Sequence, residues 1–199
     1  MYKLKSLFFI LLTLVFCDSL IAQSIKPANG KIFIFDAAVG GLQALSTAGR
    51  HSRSALVQTA TRHDGFDQHH IQWKLENVGH GFYIITDLTG RLALEVRRAE
   101  EGSILWLRPR QRRNLSQMFK FEHVRDNQYR IHPRRNPSLC LTVVDATNHP
   151  GSQIRLQPKN GTHISQRWGL RFVERNSNYK IFLESIYCAS EDDPGKEVE

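Results

Sequence analysis

The sequence repeats itself three times at an interval of about 47 residues. The best-matched stretches are Trp73–Val78, Phe119–Val124 and Trp168–Val173, whose first residues lie 46 and 49 positions apart. Each stretch opens on a large aromatic residue and continues with alternating apolar and polar side chains. Alternation with a period of two is typical of a half-buried β-strand. A unit of this length cannot bury its own apolar face, so we expect the three copies to share one core.

Three further blocks recur in the same order in each unit, separated by clusters of Gly, Asn, Asp and Pro. Each unit therefore holds four short strands, and three units predict an all-β chain with the β-trefoil fold, a closed pseudo-threefold array of twelve strands. Closure leaves no unpaired sheet edge that could recruit another chain. In the second unit the blocks are Phe82–Ile85, Leu92–Val96 and Gly102–Leu107, which match Gln128–Ile131, Leu139–Val143 and Gly151–Leu156 in the third and Gly30–Ile34, Gln43–Thr47 and Ser54–Val57 in the first.

Residues 1–22 have the pattern of a cleaved signal peptide. A positive start with Lys3 and Lys5 is followed by the apolar run Leu7–Phe16 and a cleavage site after Ala22. The apolar run is shorter than the roughly 20 residues that a membrane-spanning helix needs, so we expect no membrane span. Lipid anchoring at Cys17 is the weaker alternative, since the bulky Phe16 precedes it. The mature protein is expected to be secreted, either extracellular or periplasmic.

Residues 23–173 then form the predicted domain, and residues 174–199 form a C-terminal extension. The end of this extension is too rich in acidic residues to be buried, and we expect it to be disordered. Cleavage leaves two cysteines, Cys140 and Cys188, which form a candidate disulfide in an oxidising compartment. The alternative is two separate thiols, because a sequence does not give the distance between them.

The tripeptide Gln166-Arg167-Trp168 resembles the Gln-x-Trp signature of ricin B-type lectin domains. Gln117-Met118-Phe119 keeps the glutamine of the signature but has phenylalanine in place of tryptophan. Ile71-Gln72-Trp73 keeps the tryptophan but has isoleucine in place of the glutamine. The resemblance spans about residues 30–173, and it implies that the aromatic residue packs in the trefoil core while the glutamine hydrogen-bonds buried backbone. The residues expected to have this structural role are Trp73, Gln117, Phe119, Gln166 and Trp168.

The resemblance implies carbohydrate binding, but the sugar-contacting positions of the family are changed in all three units. Of these positions only Glu95 keeps a carboxylate, and Trp106 and Arg108 are near it in the sequence. We therefore predict a ligand site at Glu95, Trp106 and Arg108; the alternative is a surface carboxylate paired with arginine beside an ordinarily packed tryptophan. In the family an Asp, a stacking aromatic residue and an Asn contact the sugar. The position of the Asp is occupied by Ser46, Glu95 and Thr142 in the three units, that of the aromatic residue by Thr59, Arg108 and Gln157, and that of the Asn by His70, Ser116 and Ser165.

The second unit also concentrates positive charge. Arginine's planar fork suits sulfate, carboxylate and phosphate groups, and the formal net charge of +8 attracts polyanions. For an exported protein these are acidic polysaccharides; we expect no nucleic acid, because no matching motif is present. A solvated basic face without a specific partner is the alternative. The predicted patch for an acidic ligand comprises Arg97, Arg98, Arg110, Arg112 and Arg113.

The sequence therefore predicts a non-catalytic binding module for carbohydrate, with acidic glycans favoured. The alternative is a degenerate trefoil that serves as a protein-interaction or structural module without sugar binding. The sequence contains no nucleophile elbow, His-Glu helix signature or Gly-rich phosphate loop, so we expect no enzyme activity and no cofactor. The segment His63–His70 is rich in His and Asp, but its spacing fits a turn better than a metal site, and no metal is expected.

Overall fold

The computed structural model describes residues 25–40, 43–49, 53–60 and 69–173. The predicted signal peptide, the C-terminal extension with Cys188, and most of His63–His70 lie outside these residues. No helix in the described part is long and apolar enough to cross a membrane. The strands are β1 (Ile32–Ala37), β2 (Gln43–Thr47), β3 (Leu56–Ala60), β4 (Gln72–Asn77), β5 (Phe82–Thr86), β6 (Leu92–Glu95), β7 (Trp106–Pro109), β8 (Met118–Arg125), β9 (Gln128–Pro133), β10 (Leu139–Val143), β11 (Ile154–Pro158) and β12 (Trp168–Phe172).

Six of the strands pair in a closed antiparallel ring. The order around the ring is β1, β4, β5, β8, β9 and β12, and β12 returns to β1. In that last pairing Phe33 lies opposite Phe172 and Ala37 lies opposite Trp168, so the first and last units are joined directly. Because every strand of the ring has two neighbours, the barrel has no free edge.

The other six strands form three hairpins, β2–β3, β6–β7 and β10–β11. Isolated β-bridges connect the hairpins in pairs: Ala55 bridges to Trp106, Val57 to Gln153, and Ile104 to Arg155. The hairpins therefore form a layer of their own in contact with one another. The all-β prediction is confirmed, and a six-stranded barrel with three hairpins fits the β-trefoil.

The three repeating aromatic residues lie in the core. Trp73, Phe119 and Trp168 are each at most 2% exposed. The indole N–H of Trp73 donates to the carbonyl oxygen of Leu45 on β2 at 3.0 Å, and that of Trp168 donates to Leu141 on β10 at 3.1 Å. Each tryptophan thus connects a barrel strand to a hairpin and satisfies a polar group that would otherwise be buried unpaired.

Gln117 and Gln166, both fully buried, make the same hydrogen bonds in the second and third units. The side-chain oxygen of Gln117 accepts from the Gln111 N–H at 2.8 Å, and its amide donates to the Pro109 carbonyl at 2.9 Å. Gln166 accepts from the Asn160 N–H and donates to the Pro158 carbonyl, both at 2.8 Å. Each glutamine therefore closes the turn that follows its own hairpin.

Replacing Gln117 with alanine should lower the free energy of unfolding by about 1–3 kcal/mol, because the Gln111 N–H and the Pro109 carbonyl lose their partner. Urea unfolding monitored by tryptophan fluorescence measures the change. The matched control is Gln153→Ala, at an exposed position of the third unit, which should change the free energy by less than about 0.5 kcal/mol. Equal effects of the two substitutions would contradict a structural role for Gln117.

Candidate functional site

The outer face of the β6–β7 hairpin carries the three residues predicted to bind a ligand. Glu95 lies opposite Trp106, and Ala93 lies opposite Arg108. Opposite residues of an antiparallel pair share a face, and the intervening Leu94 and Leu107 are buried in the core. Glu95, Trp106 and Arg108 are therefore presented on the same side of one hairpin, directed away from the main core.

Hydrogen bonds within the protein occupy one oxygen of the Glu95 carboxylate. Its Oε2 accepts from the amide of Gln117 at 3.0 Å and from that of Asn114 at 3.1 Å. No ion pair joins Glu95 to an arginine in the part of the chain that the structure describes. Glu95 is thus connected to the glutamine that closes the turn, and its Oε1 remains available to accept a hydrogen bond.

Two of the predicted arginines line a surface depression together with Trp106. This second-unit depression is formed by Arg97, Arg98, Ser103, Ile104 and Trp106. Both arginines are exposed, and Trp106 is half-buried. Neither guanidinium group has a hydrogen-bond or ion-pair partner among the described residues. The depression therefore combines an aromatic surface with two available cations.

The remaining predicted arginines differ in how far their charges are available. Arg110 donates to both carboxylate oxygens of Glu76 on β4, from Nε at 2.7 Å and from a terminal nitrogen. This hydrogen bond, against the effect of burial, holds the pKa of Arg110 above its usual value. Arg112 and Arg113 are exposed in the turn after β7, whereas Arg108 has a buried Nε with no hydrogen-bond partner. Arg110 is therefore committed to Glu76, while Arg112 and Arg113 remain accessible.

A second depression lies in the third unit, and we call it the third-unit groove. It brings together Thr142, Gln157 and Ser165, the three positions at which the resemblance places the family's sugar contacts. Its lining also includes Asp145 and His163, which are both exposed. The full lining is Thr142, Val143, Val144, Asp145, Ala146, Gln157, Pro158, Lys159, Asn160, Gly161, His163, Ser165 and Gln166.

Asp145 and His163 were not predicted as site residues. Asp145 stands three residues after Thr142, outside the positions at which the resemblance places the family's sugar contacts. Asp145 and Ala146 both have left-handed backbone, with φ of 59° and 48°. This reverses the chain after β10 and places the Asp145 carboxylate in the wall of the groove. The turn residues Asn148, Pro150 and Gly151 that follow are the sequence signal for this reversal.

Cys140 is a buried free thiol among the described residues, at 0% exposure on β10. Burial raises its pKa to about 11, although the nearby Arg130 acts in the opposite direction. Its predicted partner Cys188 lies outside the described residues, so the disulfide stays a prediction. No group of three His, Cys, Asp or Glu residues in the described ranges is arranged to hold a metal ion.

Comparisons with known structures identify the fold. The chain is similar to the designed threefold-symmetric protein ThreeFoil, with a TM-score of 0.62 at 20% identity over 70% of this chain and 96% of that one. It is similar to the earthworm R-type lectin C-half in complex with GalNAc, with a TM-score of 0.57 at 13% identity over 72% and 99% of the two chains. The exo-β-1,3-galactanase 1,3Gal43A from Clostridium thermocellum has a TM-score of 0.62 at 22% identity over 75% of this chain, which spans 31% of the galactanase.

No family model and no curated protein sequence matches this chain. The structural similarity nevertheless extends to the Polyporus squamosus lectin and to the ricin B-like lectin of Macrolepiota procera. The fold is therefore a β-trefoil, as the sequence predicted, and several lectins share it. At these identities the similarity establishes the fold, and the ligand has to be argued from the residues of this chain.

The raised pKa of Cys140 predicts a specific loss of stability at alkaline pH. Between about 9 and about 11 the unfolded thiol ionises while the folded thiol stays protonated. The unfolded state then binds fewer protons than the folded state, so the free energy of unfolding falls as pH rises. Urea unfolding of reduced protein at pH 8, 9 and 10 measures the fall, and Cys140→Ala should make it smaller. An identical slope in the variant would contradict the buried thiol.

Proposed function

We propose that this chain is a secreted, non-catalytic binding protein with one β-trefoil domain of three repeats. We further propose that it binds carbohydrate with a preference for acidic glycans. The observation that carries the proposal is the second-unit depression, in which Arg97, Arg98 and Trp106 lie together. A sugar ring has an apolar face that can lie against an indole, and an acidic sugar adds a carboxylate or sulfate that a guanidinium can bind with two parallel hydrogen bonds.

The neighbouring hairpin face supplies further contacts for such a ligand. Glu95 Oε1 can accept a hydrogen bond from a sugar hydroxyl, because among the described residues only Oε2 has partners. Arg108 lies next to Trp106 along the outward face of β7, and its guanidinium group has no hydrogen-bond partner within the described part of the chain. In an arrangement of this kind Trp106 contacts the apolar face of the sugar, and Glu95 orients the sugar by accepting a hydrogen bond from a hydroxyl group. The arginines select for negative charge.

The structural neighbours support carbohydrate as the ligand class. The earthworm R-type lectin C-half is in complex with GalNAc, and the Macrolepiota procera ricin B-like lectin is in complex with lactose. Both of those sugars are neutral. In this chain an arginine, Arg108, stands where the resemblance places the family's stacking aromatic residue. This replacement favours an acidic ligand at the second unit over a neutral one.

The third-unit groove is a second candidate carbohydrate site with a different charge. Asp145 is exposed and makes no ion pair with any described residue, while the charge of Lys159 is matched by Glu122 at 2.7 Å. The groove therefore presents an available carboxylate together with the polar side chains of Gln157 and Asn160. Such a lining favours neutral hydroxyl-rich sugars over polyanions.

A protein-interaction role is the alternative function for the same scaffold. Three large apolar side chains are exposed in the described part of the chain, namely Leu115 at 47%, Ile164 at 42% and Phe172 at 38%. Leu115 and Ile164 occupy equivalent positions, because each begins the short 3₁₀ turn that ends on the buried glutamine of its unit. A partner protein that binds through these side chains would bind equally well in the presence of excess polysaccharide.

The acidic-glycan proposal predicts a strong effect of the double substitution Arg97→Ala/Arg98→Ala. Affinity for a sulfated polysaccharide such as heparin should fall at least about tenfold, since each charge-assisted hydrogen bond contributes about 1.5–3 kcal/mol. Isothermal titration calorimetry at two salt concentrations measures the change. The matched control is Lys26→Ala/Lys120→Ala, which removes the same charge from two other exposed positions and should weaken binding only through long-range attraction.

Trp106→Ala tests the same site independently of charge, and it should weaken binding at both salt concentrations equally. Binding that is indifferent to salt, or equal losses in the arginine variant and the lysine control, would reject the acidic version of the proposal. Retained binding to lactose or GalNAc in the arginine variant would instead locate neutral sugars at another site. No binding of the wild-type protein to any glycan would favour the protein-interaction role.

A further inference from the structure

We propose that Arg135, a residue of the third unit, completes the Glu95 site of the second unit and makes it selective for uronic acids, which are sugars with one carboxylate. This inference rests on the proposed carbohydrate binding, and it names the acidic sugar that the second unit takes. Arg135 belongs neither to the positions at which the resemblance places the family's sugar contacts nor to the predicted patch of arginines. The observation that carries the inference is the hydrogen bond from Arg135 to Ser116.

Ser116 lies at the edge of the Glu95 site, at the position where the resemblance places the family's Asn. It is 5% exposed, and its carbonyl oxygen accepts at 3.0 Å from the backbone N–H of Val96, the residue that follows Glu95. Its own N–H donates to Oδ1 of Asn114 at 2.9 Å, and the amide of Asn114 donates to Glu95 Oε2 at 3.1 Å. Because serine is shorter than asparagine, a side chain from outside the unit can reach the Ser116 hydroxyl.

Arg135 reaches Ser116 from the third unit. Its Nη1 donates to the Ser116 hydroxyl at 2.9 Å. The chain is attached to the second unit on both sides of Arg135, because the preceding backbone N–H donates to the Met118 carbonyl at 2.8 Å and the side-chain amide of Asn136 donates to the Ala99 carbonyl at 3.0 Å. These contacts hold the guanidinium group at the edge of the Glu95 site before a ligand binds, which reduces the entropy that binding costs.

Arg135 and Glu95 offer complementary groups to a uronic acid. In the described part of the chain, Nε and Nη2 of Arg135 have no hydrogen-bond or ion-pair partner, and the residue is exposed. These two nitrogens form the side of the guanidinium fork with which Arg110 binds both oxygens of Glu76, so they can bind the carboxylate of a ligand in the same way. Glu95 Oε1, which also has no partner among those residues, can accept from a hydroxyl group of the same sugar ring.

The charges around the site favour one carboxylate over none or several. Arg108 lies on the outward face of the same hairpin, so two cations and the carboxylate of Glu95 leave a single positive charge. A neutral sugar leaves the fork of Arg135 without an acceptor, whereas a densely sulfated segment places negative charge against Glu95. Trp106 lies opposite Glu95 and lines the second-unit depression, so one acidic polysaccharide can reach both the Glu95 site and the depression.

The third unit provides an internal comparison. Ser165, which is 3% exposed, stands where Ser116 stands in the second unit, but no arginine is among the described residues that line the third-unit groove. The lysine of that lining, Lys159, pairs with Glu122 at 2.7 Å. The groove should therefore show no preference for a uronic acid over the matching neutral sugar.

Nuclear magnetic resonance titration of the full chain tests the inference at each site separately. The two probes are methyl galacturonide and methyl galactoside, which differ only in having a carboxylate or a hydroxymethyl group at one carbon. The Asn114 side-chain amide reports binding at the second unit, and the Ser165 backbone amide reports binding at the third. At the second unit we expect the galacturonide to bind at least about tenfold more tightly, since its carboxylate gains charge-assisted hydrogen bonds.

Arg135→Gln should remove this preference, because it removes both the charge and the fork. The affinity for the galacturonide should fall at least about tenfold, and that for the galactoside much less. Arg135→Lys keeps the charge without the fork and should retain part of the preference. The matched control is Arg134→Gln, which removes the same charge from a guanidinium that lies over the Phe82 ring at 4.7 Å, and it should leave the preference unchanged.

The inference is overturned if Arg135→Gln and Arg134→Gln reduce the preference equally, since long-range attraction would then explain it. It is also overturned if Arg135→Gln weakens both sugars equally, which would indicate a structural role alone, or if the wild-type second unit binds the two sugars equally. Its failure is distinguishable from that of the proposed function. Heparin binding that still depends on Arg97 and Arg98 would leave the acidic-glycan proposal standing, whereas a wild-type protein that binds no acidic glycan would reject both.

Discussion

Every other feature of the fold depends on the pairing of β12 with β1. Phe33 lies opposite Phe172 in this pairing, so hydrogen bonds connect two ends of the described chain that are far apart in sequence. Without this contact the barrel would have two open edges, and the hydrophobic core around Trp73 and Trp168 would be exposed on one side. Closure requires strands from all three units, which explains why a single unit cannot be stable alone.

The ring in turn provides the hairpins with a rigid base. The indole groups of Trp73 and Trp168 each donate to a hairpin carbonyl, while Gln117 and Gln166 close the turns after β7 and β11. The same glutamines also contact the residue at the position where the resemblance places the family's sugar-binding Asp. Gln117 donates to Glu95, and Gln166 donates to the Thr142 hydroxyl at 3.3 Å. The residue at this position is therefore positioned by the structural motif itself, and its identity can change without loss of the fold.

This coupling explains why the second and third units differ in character. In the second unit the position holds a carboxylate, which accepts from the Asn114 amide as well as from Gln117. The available positive charges of Arg97 and Arg98 line a depression with Trp106, the residue opposite Glu95 on the hairpin. In the third unit Thr142 is shorter, and a groove is present with Asp145 in its wall. The scaffold is the same, and the hairpin faces carry different chemistry.

Much of the fold could be predicted from the sequence, because the apolar pattern and the repeated aromatic residues reflect local strand formation and a shared core. The blocks around Trp73, Phe119 and Trp168 correspond to β4, β8 and β12, and every further block contains or overlaps a strand of the structure. The predicted ligand residues Trp106 and Arg108 share one hairpin face because their spacing matches the period of a strand, and the antiparallel register brings Glu95 opposite Trp106. These features depend on residues that are near one another in the sequence.

Interactions between distant segments could not be predicted in this way. The pairing of Arg110 with Glu76 removes one arginine from the predicted patch, and the contacts of Glu122 with His132 and Lys159 connect the barrel to a turn of the third hairpin. Asp145 enters the groove because the backbone reverses after β10, which no spacing rule revealed. The sequence by itself thus determined the strands, the repeat and the core aromatics, since these follow from periodicity. Only the tertiary structure decided which charges are paired and which stay exposed, because the partners of an ion pair or a hydrogen bond are set by distance in space.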